Sequence, residues 1–458
     1  MSDEFAAVVE RVRERVTPDA DERARLDDAE AALRERTREA VAELPVEADI
    51  VLVGSTARDT WLAGERDIDL FVRFPPDLPR EDLETYGLEI GHGVLPDGHE
   101  EYAEHPYVKG PFDGFDVDLV PCYDVADATA IKSAVDRTPF HTKYLQARID
   151  ADLAGEVRAT KQFLHGIGVY GSDLRTQGFS GYLTELLVLE YGGFRGLVEA
   201  AADWHPPVEM DPEDHGQASF DDPLIVIDPT DPERNVAAVC APESVARLQH
   251  YARALLADPR EELFFPSPPD PLDAAAVRGA FDRRGTTPAA LRFEAPDIVD
   301  DQLYPQLDRS IEGLAGELDR RGFDVLRSAV FADETAALLV ELEVAARPAV
   351  ERHEGPPVHV REHAEGFYDA YAESDVETEG QVGTYGPFVA GDRYAVERPR
   401  EFGTARAFLE SDAVNDVALG ARVEEALADD YEVLVGADVA ALAPEFGVEL
   451  ARYLDPKP

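Results

Sequence analysis

Cysteine and lysine are scarce in this chain of 458 residues. The two cysteines, Cys122 and Cys240, are too few for a disulfide scaffold or a cysteine-only zinc cluster. We expect both to be small buried side chains. Lysine supplies 5 of the 43 basic residues, namely Lys109, Lys132, Lys143, Lys161 and Lys457.

Long apolar runs are also missing, since none approaches the roughly 18 residues of a membrane span. The segment from Met1 to Phe5 has no basic stretch followed by an apolar one, so no secretory signal is predicted. We therefore expect a soluble, cytoplasmic protein without a membrane partner. Hydrophobic residues make up 44% of the chain, which is enough for a sizeable core, and the length suggests about three domains.

Acidic residues are abundant: 95 Asp and Glu face 43 Lys and Arg, for a net charge of −52 spread along the chain. Such a chain repels itself in dilute buffer. At molar salt the Debye length falls to about 3 Å, which removes that repulsion, and we interpret the charge as adaptation to high salt. The alternative, a binder of basic partners, typically has a local acidic block, and none is found. The charge therefore does not exclude a nucleic-acid partner.

The first part of the chain mixes helical and strand patterns. Helices are predicted within residues 5–45 and 152–202 and over 244–256, with Ser244 as a plausible N-cap. Short apolar runs predict three strands in an α/β or α+β domain ending near residue 140, and a further buried stretch; these runs are 49–53, 67–72, 115–120 and 224–227.

A proline-rich linker, Phe265–Pro269, separates a β-rich C-terminal region. Its pattern predicts a strand over 290–294, a helix over 303–321, and a hairpin of 325–331 with 336–344. This order suits a small sheet with a helix on one face, a shape often used for RNA. Residues 373–381 are polar and predicted to form a loop.

The chemically informative segment begins at Gly54-Ser55, where a predicted strand ends. Glycine lets a ligand approach the backbone closely, Ser55 is well placed for a phosphate, and Arg58 offers a planar positive fork for phosphate oxygens. Gly166–Gly171 also spells a dinucleotide fingerprint, but it follows a predicted helix and the spacing is interpreted as coincidence.

Asp67 and Asp69 lie two apart on a predicted strand and so share one face. Asp118 supplies a third carboxylate from another strand, and Asp116 could assist it. Hard oxygen ligands suit Mg²⁺, and three such acids could hold two metal ions about 3.5–4 Å apart. Any one of these residues could be an ordinary surface position in so acidic a protein; the whole set in this order favours a site.

The string Gly-Ser-x-Ala-Arg-x-Thr-Trp-Leu followed by Asp-Ile-Asp resembles the nucleotidyltransferase core of the DNA polymerase β superfamily. It is most similar to the archaeal, class I CCA-adding enzymes. Further similar segments extend from about residue 50 to 260 and more weakly to the end; they include 118–123, 137–143, 170–171, 178–182 and 228–237.

The resemblance implies an α+β multidomain fold. Its parts would be a polymerase-β-like palm of mixed sheet and helices over 1–145, a helical central domain over 146–263, and an α/β C-terminal body and tail over 264–458. The central domain would bind nucleotide and the acceptor end, and the body and tail would grip tRNA. The family also suggests a homodimer.

The resemblance further implies a role for each matching residue. Asp67, Asp69 and Asp118 would be catalytic ligands of two Mg²⁺ ions, although members often have Glu where Asp67 stands. The nucleotide, ATP or CTP, would be bound by Ser55, Arg58, His141, Lys161, Tyr170 and Arg234. Lys161 carries a second signal, because lysine is so rare here.

The resemblance implies addition of C, C and A to the 3′ end of tRNA with release of pyrophosphate. Alternatives are a poly(A) polymerase or oligoadenylate-type transferase of the same superfamily, and an RNA-binding scaffold with a dead site. Residues 137–200 hold seven basic and seven acidic residues. This stretch is therefore neutral, although the chain as a whole is strongly acidic, and it is where the triphosphate and the acceptor stem are expected to bind.

Overall fold

The computed structural model describes residues 2–102, 104–374, 377–378 and 381–458. The chain forms two compact units, one up to Ser267 and one from Pro268 to Lys457. The division falls within the predicted linker Phe265–Pro269. The finer boundary between residues 145 and 146 stays a prediction. No helix in the described ranges is long and apolar enough to cross a membrane.

The first unit mixes helices and strands. Its elements are α1 (Ser2–Val16), α2 (Ala20–Ala42), β1 (Asp49–Val53), α3 (Gly54–Ala57), β2 (Asp67–Phe74), α4 (Arg80–Val94), β3 (His99–Tyr102), β4 (Pro106–Phe112), β5 (Phe115–Tyr123), α5 (Thr138–Gln146), α6 (Ala151–Gly166), α7 (Gly181–Glu190), α8 (Phe194–Ala202), β6 (Val208–Met210), β7 (Leu224–Asp228), β8 (Asp231–Asn235) and α9 (Pro242–Ala257).

Five strands form a mixed sheet in the order β1-β2-β5-β4-β3. Strands β2 and β5 run parallel, and the other neighbours run antiparallel. One face packs on α2 and α4 in a core that includes Leu33, Leu70, Leu83 and Leu119. The mixed sheet with flanking helices confirms the predicted fold class for this part.

A second core joins α1 to the helices from α5 to α9. The predicted helical stretch over 152–202 is divided, because α6 ends at Gly166 and α7 begins at Gly181. Gly166–Gly171 thus follows a helix, as predicted. Ser244 as N-cap is wrong: α9 begins at Pro242 after the extended Ala241, since proline fits a first helical position.

The second unit contains α10 (Ala274–Arg284), β9 (Thr287–Glu294), α11 (Asp300–Arg320), β10 (Val325–Ala332), β11 (Thr335–Leu342), β12 (Val350–Pro357), α12 (Arg361–Tyr371), β13 (Glu377–Thr378), β14 (Gln381–Val382), β15 (Tyr385–Ala390), β16 (Arg393–Pro399), α13 (Ala405–Leu409), α14 (Ala421–Asp429), β17 (Glu432–Val435) and α15 (Ala443–Leu454).

Its main sheet has the order β10-β11-β9-β17, and the predicted hairpin of β10 and β11 is confirmed. The expectation of a helix on one face is wrong. Alternate residues of β9 and β11 enter two different cores, one with α11 and α14 and one with α10 and α15. Both faces are therefore covered. The predicted loop over 373–381 lies partly outside the described residues.

Candidate active site

The site begins at the corner where β1 meets α3. Val53 lies opposite Asp69 in the antiparallel register, so Gly54 comes directly beside the Asp69 side chain. Gly54 has a φ of +76°, and a Cβ built on it would overlap the Asp69 carboxylate. Glycine is required here for both its conformation and its lack of a side chain. Ser55 follows in α3, at the same corner.

Strands β2 and β5 bring the predicted acids together. In their parallel register Asp69 is paired with Asp118, and Asp67 is paired with Asp116. Neighbouring strands lie about 4.8 Å apart, so Asp69 and Asp118 are immediate neighbours on one face. Both are partly buried, whereas Asp67 and Asp116 are exposed. The structure therefore gathers the predicted trio at one end of two strands, with Asp67 at its outer side.

The charges of this group repel each other. Burial raises the pKa of Asp69 to about 6, and the charges of Asp118 and Asp67 act in the same direction. Burial also raises the pKa of Asp118, against the opposing effect of Lys109. The Lys109 Nζ lies 3.1 Å from Asp118 Oδ1. The positive charges of Lys109 and Arg58 thus oppose three carboxylates, and negative charge remains in excess.

This donor set suits a hard cation that receives further ligands from a substrate. Asp118 Oδ1 is buried, and its 3.1 Å contact with Lys109 is an ion pair without good hydrogen-bond geometry. Among the described residues, no three His, Cys, Asp or Glu side chains form a closed metal site. Mg²⁺ needs no such cage, since it is held by one or two carboxylates plus substrate phosphates. Asp69 and Asp118 fit that requirement.

Arg58 is placed differently from the predicted phosphate contact. Its guanidinium is only 7% exposed and pairs with the fully buried Glu185, at 2.7 and 2.9 Å. It also donates to the Thr142 hydroxyl at 3.1 Å, and Glu185 accepts from the Thr60 hydroxyl. Arg58 therefore ties the loop after α3 to α7 and α5, and a direct contact with phosphate stays a prediction.

Lys161 lies in the interior of α6, only 2% exposed. Within the described ranges its ammonium has no carboxylate at ion-pair distance, and burial lowers its pKa while Glu185 and Glu65 oppose that shift. Such a charge is costly to bury unpaired. It marks a place where an anion would be favourable.

Tyr170 follows α6, and its backbone bridges to Phe179. Its ring lies 4.1 Å from that of His165, and its hydroxyl packs closely on Gly181, where a Cβ would come within 3.2 Å of it. Burial raises the pKa of Tyr170, and the charges of Glu65, Glu185 and Asp67 add to the effect. Tyr170 therefore lies close enough to Asp67 of β2 and to the buried pair of Arg58 and Glu185 for their charges to act on it.

His141 and Arg234 meet at a buried carboxylate. His141 Nε2 and an Arg234 guanidinium nitrogen each lie 2.8 Å from Asp228 Oδ2. His141 lies on α5 next to Thr142. The same helix therefore contacts Arg58 through Thr142 and Asp228 through His141. Three of the predicted nucleotide contacts are therefore linked through α5.

Three residues of this region had no predicted role: Lys109, Glu185 and Asp228. Lys109 carried a usable signal, because the rarity of lysine that singled out Lys161 applies equally to it. Glu185 gave none, since it is one acid in an apolar helix and its partner Arg58 is 127 positions away.

Family models match most of the chain in three parts. A nucleotidyltransferase domain matches residues 34–141, the second domain of tRNA nucleotidyltransferase matches 155–265, and the C-terminal domain of the CCA-adding enzyme matches 284–436. A solved structure of Cid1, described by its RNA terminal uridylyl transferase activity, covers 59% of this chain at 16% identity with a TM-score of 0.45; all of that chain is covered. The matched domain and the mixed sheet with its paired acids define a nucleotidyltransferase.

Curated relatives match over the full length. The CCA-adding enzymes of Haloarcula marismortui and Halorubrum lacusprofundi are each 62% identical, with 100% of both chains covered. That of Methanosarcina barkeri is 39% identical, with 97% of each chain covered. The chain belongs to the family of CCA-adding enzymes, which confirms the predicted family, and its relatives include enzymes of halophilic archaea.

Proposed function

We propose that this protein adds C, C and A in turn to the 3′ end of tRNA, using CTP and ATP, without a nucleic-acid template. Family membership supports the reaction. The observation that carries the assignment of the site is the pairing of Asp69 with Asp118 beside Gly54. The lack of a side chain at Gly54 leaves room for the Asp69 carboxylate at this corner, where the nucleotide phosphates would lie.

Asp67, Asp69 and Asp118 would hold two Mg²⁺ ions. When bound, such ions lower the pKa of an attacking hydroxyl and neutralise charge on the transferred phosphate and the leaving pyrophosphate. The raised pKa of Asp69 supports this assignment, because the like charges that raise it would be offset by cations.

The side chains around the acids would bind and orient the nucleotide. Ser55 at the corner and the buried, unpaired Lys161 would contact phosphates. Tyr170 and His141 would contact the triphosphate or the base, and Arg234 would present hydrogen bonds to the bases of CTP and ATP. The buried pair of Arg58 and Glu185 would keep the corner aligned with α7, and the Arg58 guanidinium would favour the charged form of Asp69.

The reaction is an in-line displacement at the α-phosphorus. The terminal ribose hydroxyl of tRNA loses its proton and forms the new phosphorus–oxygen bond. The bond from the α-phosphorus to the bridging oxygen breaks, and pyrophosphate leaves. The chain's residues hold these groups in line, which is the main catalytic requirement of phosphoryl transfer.

The rest of the chain would hold the tRNA. Residues 146–263 would face the nucleotide and the acceptor end, and 264–458 would grip the body of the tRNA. Since salt weakens phosphate contacts, stacking and hydrogen bonds should carry more of the affinity here than in a low-salt enzyme. We also infer a homodimer acting in the cytoplasm, in line with the tRNA substrate.

Replacing Asp69 or Asp118 by Asn tests the assignment. Each variant should lower nucleotide incorporation by about 10³-fold, because charge stabilisation of the transition state is lost, while tRNA binding is spared. Radiolabelled CTP and ATP with tRNA lacking its terminus measure the first, and filter binding measures the second. Asp113→Asn is the control, an exposed acid in the turn between β4 and β5, and should retain most activity. Retained turnover in either site variant would refute the metal assignment.

The products of the wild-type protein separate the alternatives. With all four nucleotides present, addition should stop after three residues. A long adenosine tail would favour a poly(A) polymerase, and absence of incorporation would favour a binding scaffold.

A further inference from the structure

Asp228 ends β7 and its side chain is fully buried. One oxygen, Oδ1, accepts hydrogen bonds from the backbone N–H and hydroxyl of Thr230 at 2.9 and 2.8 Å and from the Tyr182 hydroxyl at 3.2 Å. The other, Oδ2, accepts from His141 and Arg234, each at 2.8 Å. These five donors fill the acceptor capacity of the carboxylate, which has about four lone-pair sites.

Its partners come from elements far apart in the sequence. His141 lies on α5 and Tyr182 on α7, and their rings stack with centroids 3.9 Å apart and planes 14° apart. Arg234 lies on β8 and remains 34% exposed, although one of its nitrogens is fixed on the buried oxygen. Within the described residues its guanidinium makes no other hydrogen bond, so its remaining donors are available to a ligand.

We propose that Asp228 is a positioning residue for nucleotide binding: it holds His141 and Arg234 on one carboxylate oxygen so that they meet the incoming nucleotide as a unit. This rests on the function proposed above. A lone His or Arg in this place would have several rotamers, and fixing both in advance lowers the entropy lost when the nucleotide binds.

A second link from the same hairpin provides a reference. Asp231, at the start of β8, pairs with Arg137 at 3.0 Å. Both acids thus tie the hairpin of β7 and β8 to the segment that leads into and forms α5. Among the described residues Asp228 hydrogen-bonds His141 and Arg234, whereas Asp231 does not. Loss of Asp231 therefore weakens the same tether while these two hydrogen bonds remain.

Asp228→Asn tests the proposal against Asp231→Asn. The first should raise the KM for both CTP and ATP by about tenfold or more with a much smaller change in kcat, because the binding groups lose their alignment while the strand acids do not. Asp231→Asn should change KM clearly less. Equal effects of the two variants, or an unchanged KM in Asp228→Asn, would overturn the proposal. If wild-type protein incorporates nothing, the proposed function itself fails.

A double-mutant cycle keeps the test valid should Asp228→Asn fail to fold. His141→Gln, Arg234→Gln and the double variant leave the carboxylate in place. Because the two side chains share one oxygen, their effects on KM should be non-additive, with the double variant weaker than wild type by clearly less than the product of the single effects. Additive effects would show that the two side chains act independently and would overturn the proposal.

Discussion

Asp69 and Asp228, both within residues 1–267, have opposite environments. Asp69, on β2, faces Asp118 and Asp67, and burial with these like charges raises its pKa to about 6. Asp228, at the end of β7, faces donors. Burial alone would raise its pKa, but the hydrogen bonds and charge of His141 and the donors of Thr230 bring that pKa below its ordinary value.

The difference separates a carboxylate that orients protein side chains from one that we propose to bind a metal ion. A buried acid whose oxygens all accept hydrogen bonds from protein donors needs no further ligand, and it holds those donor side chains in place. A buried acid that faces other acids is incomplete and gains most from a cation that the protein does not supply. The environment of an aspartate, more than its burial, therefore indicates what it does.

The largest effect on stability should come from the removal of salt. This experiment tests whether repulsion among carboxylates destabilises the whole chain, as it destabilises the acids of β2 and β5. The net charge of −52 is screened at molar salt and unscreened in dilute buffer. Dialysis of the protein from about 3 M to about 0.05 M KCl should unfold it, as followed by circular dichroism.

A neutral osmolyte is the control for that experiment. Sucrose stabilises folded proteins without screening charge, so it should protect less than KCl of equal osmolality. A fold that is equally stable in dilute buffer would contradict the interpretation of the charge as adaptation to salt.

The centre of the site could be predicted from sequence because its signals are local. Period-two spacing placed Asp67 and Asp69 on one face, and Gly54 marked the corner, where the structure shows that a Cβ would overlap Asp69. Strand ends, short spacings and glycine positions are properties of neighbouring residues, and these gave the three predicted strands of the palm.

The supporting contacts could not be predicted because their partners are distant in sequence. Asp228 contacts His141, which is 87 positions away in the sequence.

No helix or strand was predicted for residues 75–112, for a different reason. Helix α4 contains Gly87 and Gly91, which weaken a helical pattern, yet a Cβ at either would clash with Pro121 or Val108 of the sheet. The close packing requires these glycines, and the glycines weaken the helical pattern by which α4 could have been predicted. The neighbouring strand β4, which carries Lys109, was also missed.

Stability measurements should show the second largest effect. Asp228→Ala should lower the free energy of unfolding by about 1–3 kcal/mol, because it leaves a buried imidazole and a partly exposed guanidinium without their acceptor. Asp69→Asn should leave it unchanged or raise it in the absence of divalent ions, since one of the mutually repelling charges is removed. Urea unfolding at constant high salt measures both.

The two variants serve as each other's control, since each alters one buried aspartate of the same unit. A loss of stability in Asp69→Asn as large as that in Asp228→Ala would erase the distinction between the two environments. An unchanged stability in Asp228→Ala would show that its hydrogen bonds add nothing beyond those made with water.

The smallest effect should be the pH dependence of stability. The pKa of Asp69 is about 6 in the folded chain and about 4 when unfolded, so its contribution is fully present below pH 4 and lost as the pH rises through 6. The depressed pKa of Asp228 has the opposite consequence: its contribution is present above pH 4 and is lost only at lower pH. Of these two aspartates, only Asp69 should make stability depend on pH between pH 4 and 7.

The pKa of Glu30, raised to about 7 chiefly by burial, adds a background pH dependence that the Asp69→Asn variant shares. Subtracting that variant's thermal midpoints from those of wild type, without divalent ions, should leave a difference that falls with rising pH. Added Mg²⁺ should reverse the fall at pH 7 more than at pH 5, since it binds the ionised carboxylate. Parallel curves for the two proteins would show that Asp69 titrates normally and would remove the basis of the comparison.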